Sequence, residues 1–183
     1  GFSKDRFADI DGVIICTPTD THAEMIEQFA RAGKAIFCEK PIDLSVDRVR
    51  SCLAVVEECT VPLMLGFNRR FDAEMATLRQ TVRSGSIGDI ELVQITSRDP
   101  APPPIGYIKV SGGIFRDMMI HDFDMARFIL GEDPVSVSAQ GSVLVDPEIG
   151  SAGDYDTATA ILKTGSGKQA IITNSRRASY GYD

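Results

Sequence analysis

Asp11-Gly12-Val13-Ile14-Ile15-Cys16-Thr17-Pro18-Thr19-Asp20-Thr21-His22 is the stretch on which the reading of the fold turns. Asp11 to Cys16 is a short β-branched run, which suits a strand buried on both faces of a parallel sheet. Thr17-Pro18-Thr19-Asp20 then punctuates the chain as a turn. A helix follows. Thr21 and Glu24 have the spacing of a capping box, and Asp20 is a rival N-cap. Met25, Ile26, Phe29 and Ala30 recur at helical spacing, and Gly33 is placed to end the helix in a left-handed conformation.

The same alternation continues outward from that stretch. Ala35-Ile36-Phe37-Cys38 predicts a second strand, and Ser45 predicts the cap of a second helix with Val46, Val49, Leu53 and Val56 on one face. Pro62 to Phe67 predicts a third strand. Strand, helix, strand, helix, strand with short links means parallel strands joined by right-handed crossovers. Residues 1–70 therefore read as the C-terminal part of a doubly wound, Rossmann-type sheet.

Beyond Phe67 the pattern changes. Asp72 to Ser84 predicts a helix with Met75, Leu78 and Val82 turned inward and Gly85 ending it. Ile90 to Ser97 predicts a strand, Arg98 to Gly113 a loop rich in Pro and Gly, and Ile114 to Leu130 a long helix closed by Gly131. Val135–Val143, Tyr155–Lys163 and Lys168–Ser175 predict strands, the last two joined through Thr164-Gly165-Ser166-Gly167 as a hairpin. Residues 71–183 thus read as an α+β domain with a largely antiparallel open sheet, the sequence ending within its strand-rich region. The fold class expected for the whole is α/β followed by α+β.

Composition narrows the partners. The 183 residues carry 19 basic and 26 acidic side chains, a net charge of −7. Without a Lys/Arg cluster, such a chain is not expected to bind nucleic acid or an anionic membrane surface. No apolar run approaches the ~18 residues of a membrane-spanning helix, and no segment reads as a signal peptide. Cys16, Cys38, Cys52 and Cys59 form no Cys-x-x-Cys pair, so free thiols in a reducing cytoplasm are expected rather than a disulfide frame or a zinc site.

Open α/β sheets bind ligands at the carboxyl ends of their strands. Three loops lie at such ends: Thr17-Pro18-Thr19, Glu39-Lys40-Pro41 and Asn68-Arg69-Arg70. The first leads into a helix N-terminus, whose free N–H groups favour an anion. The second puts a cation at a strand end, with Pro41 biasing Lys40 toward an extended backbone. On the long helix Asp117 and His121 are spaced i, i+4, so both project from one face, and a histidine beside a carboxylate can serve as a general base near neutral pH. The plain alternatives are a surface lysine for Lys40, a helix-surface ion pair or hydrogen-bonded core histidine for His121, and a structural role for His22 in the first turn of its helix.

These motifs, in this order, carry a resemblance. Thr17-Pro18-Thr19-Asp20-Thr21-His22, Ala32-Gly33-Lys34 leading to Cys38-Glu39-Lys40-Pro41, Gly66-Phe67-Asn68-Arg69-Arg70-Phe71-Asp72, and Gly112-Gly113 followed by Asp117, His121 and Asp122 resemble the Gfo/Idh/MocA family of NAD(P)-dependent oxidoreductases, within it most the inositol dehydrogenase group. The resemblance implies oxidation of a cyclic polyol or sugar by hydride transfer to nicotinamide. It implies Lys40, Asp117 and His121 as catalytic residues. Lys40 would hold the reacting hydroxyl, His121 would take its proton, and Asp117 would orient the imidazole or a neighbouring hydroxyl. Thr17, Pro18, His22, Glu39 and Lys40 would line the cofactor groove. Lys40, Arg69, Asp117 and His121 would contact substrate, with Asp99 and Tyr107 as further hydroxyl partners. No metal is implied. The cofactor would be NAD or NADP, and the second-domain sheet would support a homo-oligomer.

The family's Gly-x-Gly-x-x-Gly turn and its acidic ribose reader are absent from this sequence. Gly1 to Asp9 is too short to supply them, and the chain is expected to be an internal piece of a longer enzyme. The competing expectations are a non-catalytic sugar- or cofactor-binding or regulatory protein, or an inactive fragment, on the same scaffold.

Overall fold

The computed structural model describes residues 8–181, which fall into two compact units, residues 1–67 and 68–183. Most of the Gly1–Asp9 segment singled out above lies outside the described residues.

In the first unit β1 (Gly12–Ile15), α1 (Thr19–Arg31), β2 (Ala35–Cys38), α2 (Val46–Cys59) and β3 (Leu63–Leu65) alternate as their periodicity predicts. The three strands are parallel in the order β1-β2-β3, with Ile14 opposite Phe37 and Phe37 opposite Met64. Ile15, Ile26, Phe29, Ile36, Cys38, Cys52 and Val56 close the core. Complete burial of one such aliphatic side chain contributes about 1.5–3 kcal/mol.

Three local expectations change. β1 is not covered on both faces: Ile15 is buried but Ile14 is 76% exposed, because α1 and α2 pack into a single core with Ile15 and successive side chains point to opposite faces. The capping box does not form. Pro18 stands at the N-cap of α1 without a side-chain cap, and the Thr21 hydroxyl turns back to donate to the Pro18 carbonyl at 2.8 Å. The buried stripe of α2 runs through Cys52 and Val56, with Val49 packed against it, leaving Val46 and Leu53 exposed. Ser45 does cap α2, and Gly33 does end α1 at a φ of +72°.

The second unit opens with a 3₁₀ turn (Asn68–Phe71) and α3 (Ala73–Arg83), capped by Asp72, whose carboxylate accepts the Glu74 and Met75 amides. No residue of α3 is buried. Met75 and Leu78, expected inward, are 38% and 42% exposed. The helix meets its neighbour through Arg79 instead, whose guanidinium lies 5.6 Å from the centre of the Phe128 ring.

β4 (Leu92–Arg98), β5 (Pro134–Ser142), β6 (Thr157–Thr164) and β7 (Gln169–Ser175) form a sheet in the order β4-β7-β6-β5. β6 pairs antiparallel with β5 and β7, while β4 pairs parallel with β7, so the sheet is mixed although mostly antiparallel. β6 alternates buried and open along its length, as a half-covered sheet requires. Its inner face packs with β7, Ile114, Met119, Ala126 and Leu130.

The segment expected as a loop holds a short helix, α4 (Ile105–Ser111), and a further turn of helix, α6 (Pro147–Ser151), precedes β6. The expected long helix is not one α-helix. A π-turn (Ile114–Met118) precedes α5 (Met119–Leu130), which Gly131 closes at a φ of +71°. Among the described residues no helix is long and apolar enough to cross a membrane.

Candidate active site

Each unit presents its own group of candidate residues. In the first, they gather at the carboxyl edge of the parallel sheet, where chain direction leaves loops rather than strands. Thr17 and Pro18 leave β1 exposed, and the Thr17 hydroxyl lies 2.6 Å from that of Thr21. The N-terminus of α1 carries no side-chain cap, and of its first amides that of Thr21 donates to the Pro18 carbonyl at 3.0 Å. Glu39 and Lys40 leave β2 half-buried, with the Glu39 amide donating to the Ile15 carbonyl at 2.9 Å. The Lys40–Pro41 peptide is cis. Gly66 leaves room for the Glu39 carboxylate: a Cβ there would stand 3.1 Å from Oε1.

His22 is 1% exposed. Its Nδ1 lies 2.8 Å from the Pro41 carbonyl and its Nε2 2.7 Å from the Thr17 carbonyl. The imidazole therefore staples the loop after β1 to the loop after β2. Its relation to the cofactor edge runs through those two loops.

The four cysteines are free. Burial pushes the Cys38 thiol up to about 12 and raises that of Cys52, so both behave as small apolar side chains.

In the second unit Asp117 sits in the π-turn and His121 in the first turn of α5, rather than on one straight α-helix. π-turns recur at functional sites. Tyr107, from α4, donates its hydroxyl to Asp117 Oδ1 at 2.8 Å. Burial first, and that hydrogen bond second, push the Tyr107 phenol up to about 12, so it is a donor throughout the working pH range.

The acid-rich run after His121 finds its partners far along the chain in both directions. Asp122 is fully buried and accepts from Arg69 at 2.5 Å, from Ser97 at 2.8 Å and from Asn174 at 2.7 Å. Asp124 takes a two-pronged contact from Arg70 at 2.7 and 2.5 Å. Arg69, expected on the substrate side, is thus tied to the helix that bears His121.

Sequence reasoning missed Asp154, Asp156, Asn174 and Arg176. Arg176 is buried beside Asp154, Asp117 and Asp99. Asp156 binds the amides of Leu144, Val145 and Asp146 at 2.8, 2.8 and 3.0 Å. Burial raises its carboxyl, and those three amides together hold it below the usual value. A signal for all four existed. Asp154 and Asp156 continue the period-two series of Ala158, Ala160 and Leu162, and Asn174 and Arg176 continue that of Ala170 and Ile172. Polar residues on a core-facing register need buried partners. Among the described residues no cluster of three His, Cys, Asp or Glu could hold a metal ion.

Comparison with known proteins finds a family match for each half of the chain. The profile "Oxidoreductase family, NAD-binding Rossmann fold" matches residues 3–67, and "GFO/IDH/MocA C-terminal domain" matches residues 75–183. The chain is 68% identical over 176 residues to an inositol 2-dehydrogenase of Rhizobium meliloti, covering 96% of this chain and 53% of that protein. It is 53% identical over 175 residues to a myo-inositol 2-dehydrogenase of Thermotoga maritima, covering 96% and 52%. The crystal structure of scyllo-inositol dehydrogenase from Lactobacillus casei with bound NAD(H) and scyllo-inositol superposes with a TM-score of 0.87 at 34% identity, covering 100% of this chain and 56% of that one. The chain spans about half the length of the curated relatives it matches.

Proposed function

Because the chain belongs to the GFO/IDH/MocA family of oxidoreductases, we propose that its residues serve an NAD-dependent dehydrogenase that oxidises a CH–OH group of a cyclic polyol, of the myo-inositol 2-dehydrogenase type. The observation that carries the reading is the 68% identity to an inositol 2-dehydrogenase over 96% of the chain. In this reading residues 1–70 contribute to the dinucleotide side and 71–183 to the substrate side.

The residues present fit one edge of a dinucleotide. The uncapped N-terminus of α1, with Thr17 and Pro18 before it, offers amides to an anionic group, and Glu39 and Lys40 stand at the next strand end. His22 positions these loops. When bound, NAD supplies the hydride acceptor. The protein's own work is acid–base. Lys40 holds the reacting hydroxyl by charge and hydrogen bonding and favours its ionised form. His121 accepts the hydroxyl proton as general base. Asp117, its carboxylate already bound by Tyr107, orients the imidazole or a neighbouring hydroxyl. Arg69 supports the substrate side through Asp122.

The outer face of the second sheet, with Ser138, Ile161 and Ile171 in one register row, is our proposed homo-oligomer surface. Free cysteines suit a cytoplasmic setting.

The test is NADH formation by the full-length protein with myo-inositol. Lys40→Ala and His121→Ala are expected to lower kcat by about 10²–10⁴-fold, the range for a lost acid–base group. Retained turnover in either variant sinks that residue's role, and polyol binding without turnover in the parent favours the non-catalytic reading.

A further inference from the structure

Arg176 follows β7 directly, and its amide donates to the Asp156 carbonyl at 2.8 Å. Its side chain is 1% exposed, and its guanidinium lies among three carboxylates from three different segments. Nη1 stands 4.0 Å from Asp99, just after β4. Nη2 stands 3.9 Å from Asp117 in the π-turn and 3.5 Å from Asp154 before β6. One cation among three anions does not make a balanced ion pair. A buried guanidinium is costly to desolvate and is retained where its fork fixes several partners at once.

The partners show what is fixed. Asp154 Oδ1 accepts the amide of Ile114 at 3.0 Å, and Ile114 begins the π-turn that carries Asp117. Gly113, at a φ of +79°, lies so close to Asp154 that a Cβ there would collide with its carboxylate. Arg176 and Asp154 therefore pin the start of the turn. Arg176 also approaches Asp117 Oδ2, while the Tyr107 hydroxyl occupies Oδ1. The two oxygens of Asp117 thus meet two different groups of the second unit, Tyr107 and Arg176.

We infer that Arg176 is a positioning residue of the reaction. Its buried guanidinium orients Asp117 and holds Asp99 beside it, so that two oxygen acceptors face the polyol in a set arrangement. The inference rests on the dehydrogenase reading and adds to it a residue that meets neither substrate nor cofactor. Asp99 agrees with the arrangement. Burial raises its carboxyl, and Arg176 is the largest influence opposing that rise, with Asp117 and Asp122 adding to it and Arg69 helping to counter it. The titratable groups facing Arg176 are thus Asp99, Asp117 and Asp154, with Tyr107 beyond Asp117.

The experiment compares Arg176→Met and Arg176→Lys in the full-length protein, by steady-state kinetics across pH and by NMR titration of the Asp99 carboxyl. Arg176→Met is expected to lower kcat by about 10²-fold, the cost of a misplaced reacting group. It should also move the acid limb of the kcat/KM profile upward, since it removes the largest influence opposing the burial-driven rise of the Asp99 carboxyl. Arg176→Lys keeps the charge but loses the fork, so it should restore the pH profile while leaving kcat low. A folded Arg176→Lys with parental kcat and a parental profile overturns the inference, and so does an Arg176→Lys that fails to fold, which would make the residue structural only. The carboxyl titration needs no turnover. If the parent oxidises no polyol, the dehydrogenase reading has failed, whereas an Asp99 resonance that titrates identically in parent and Arg176→Met overturns the Arg176 inference by itself.

Discussion

The two units solve the problem of a buried interior in opposite ways. Among the described residues of the first unit, His22 is the one fully buried polar side chain, and the rest of its core is aliphatic, aromatic or thiol. The second unit buries Ser97, Asp122, Asp124, Asp154, Asp156, Asn174 and Arg176 alongside its apolar cluster. The first core rests on area removed from water, which is non-directional and tolerant of shape. The second rests in part on directed contacts at low dielectric, where a polar group deprived of its partner costs the full penalty of desolvation. A unit built the first way is a platform for loops. A unit built the second way can hold charged side chains in place, which acid–base chemistry needs.

Substitution should expose that difference. Asp122→Ala strands Arg69, Ser97 and Asn174 together, and a loss of about 3–5 kcal/mol is expected in urea unfolding followed by circular dichroism. Asp156→Asn keeps the volume but turns an amide toward backbone N–H groups. About 2–3 kcal/mol should be lost, as for hydrogen bonds to a charged acceptor. Ile26→Val, in the fully apolar core, should cost only about 0.5–1.5 kcal/mol although its site is equally buried. Arg127→Ala, which breaks an exposed pair with Asp133, should change stability by less than about 1 kcal/mol. If the near-isosteric change at Asp156 cost no more than the one at Ile26, the contrast between the units would be lost.

Acid sharpens the same comparison. The Asp156 carboxyl is held below its unfolded value of about 3.9, so the folded state binds its proton less readily than the unfolded chain does. Its contribution is complete above that unfolded value and declines as pH falls through the lower folded one. Asp156→Asn should therefore flatten the acid side of the stability curve. An unchanged acid slope would show that the three amides do not hold the charge.

How much was legible beforehand follows the same line. β1 to β3, α1 and α2 declare themselves because strand and helix periods are local. Their caps and faces were read less well. Thr21 and Glu24 have the right spacing for a capping box, yet the Thr21 hydroxyl bonds Pro18 instead. Lys40, Asp117 and His121 stood out by motif and position. Arg176 did not, although it occupies a core-facing register, because its partners lie up to 77 positions away at Asp99. The π-turn was hidden too: a run of apolar residues with one His and several Asp looks the same whether its first turn closes at four residues or five.

The sequence by itself determined the alternation of strands and helices, the parallel order of the first sheet, the hairpin of the second and the residue types available for chemistry. These depend on side chains a few positions apart, whose periodicity survives in the linear order. Tertiary structure alone decided that His22 staples two loops, that Arg69 and Arg70 reach back to Asp122 and Asp124, and that Asp117 lies between Tyr107 and Arg176. Those contacts join residues far apart in the chain. Which buried charge meets which partner is settled only when the packed interior removes water and leaves each polar group with whatever partner the fold brings to it.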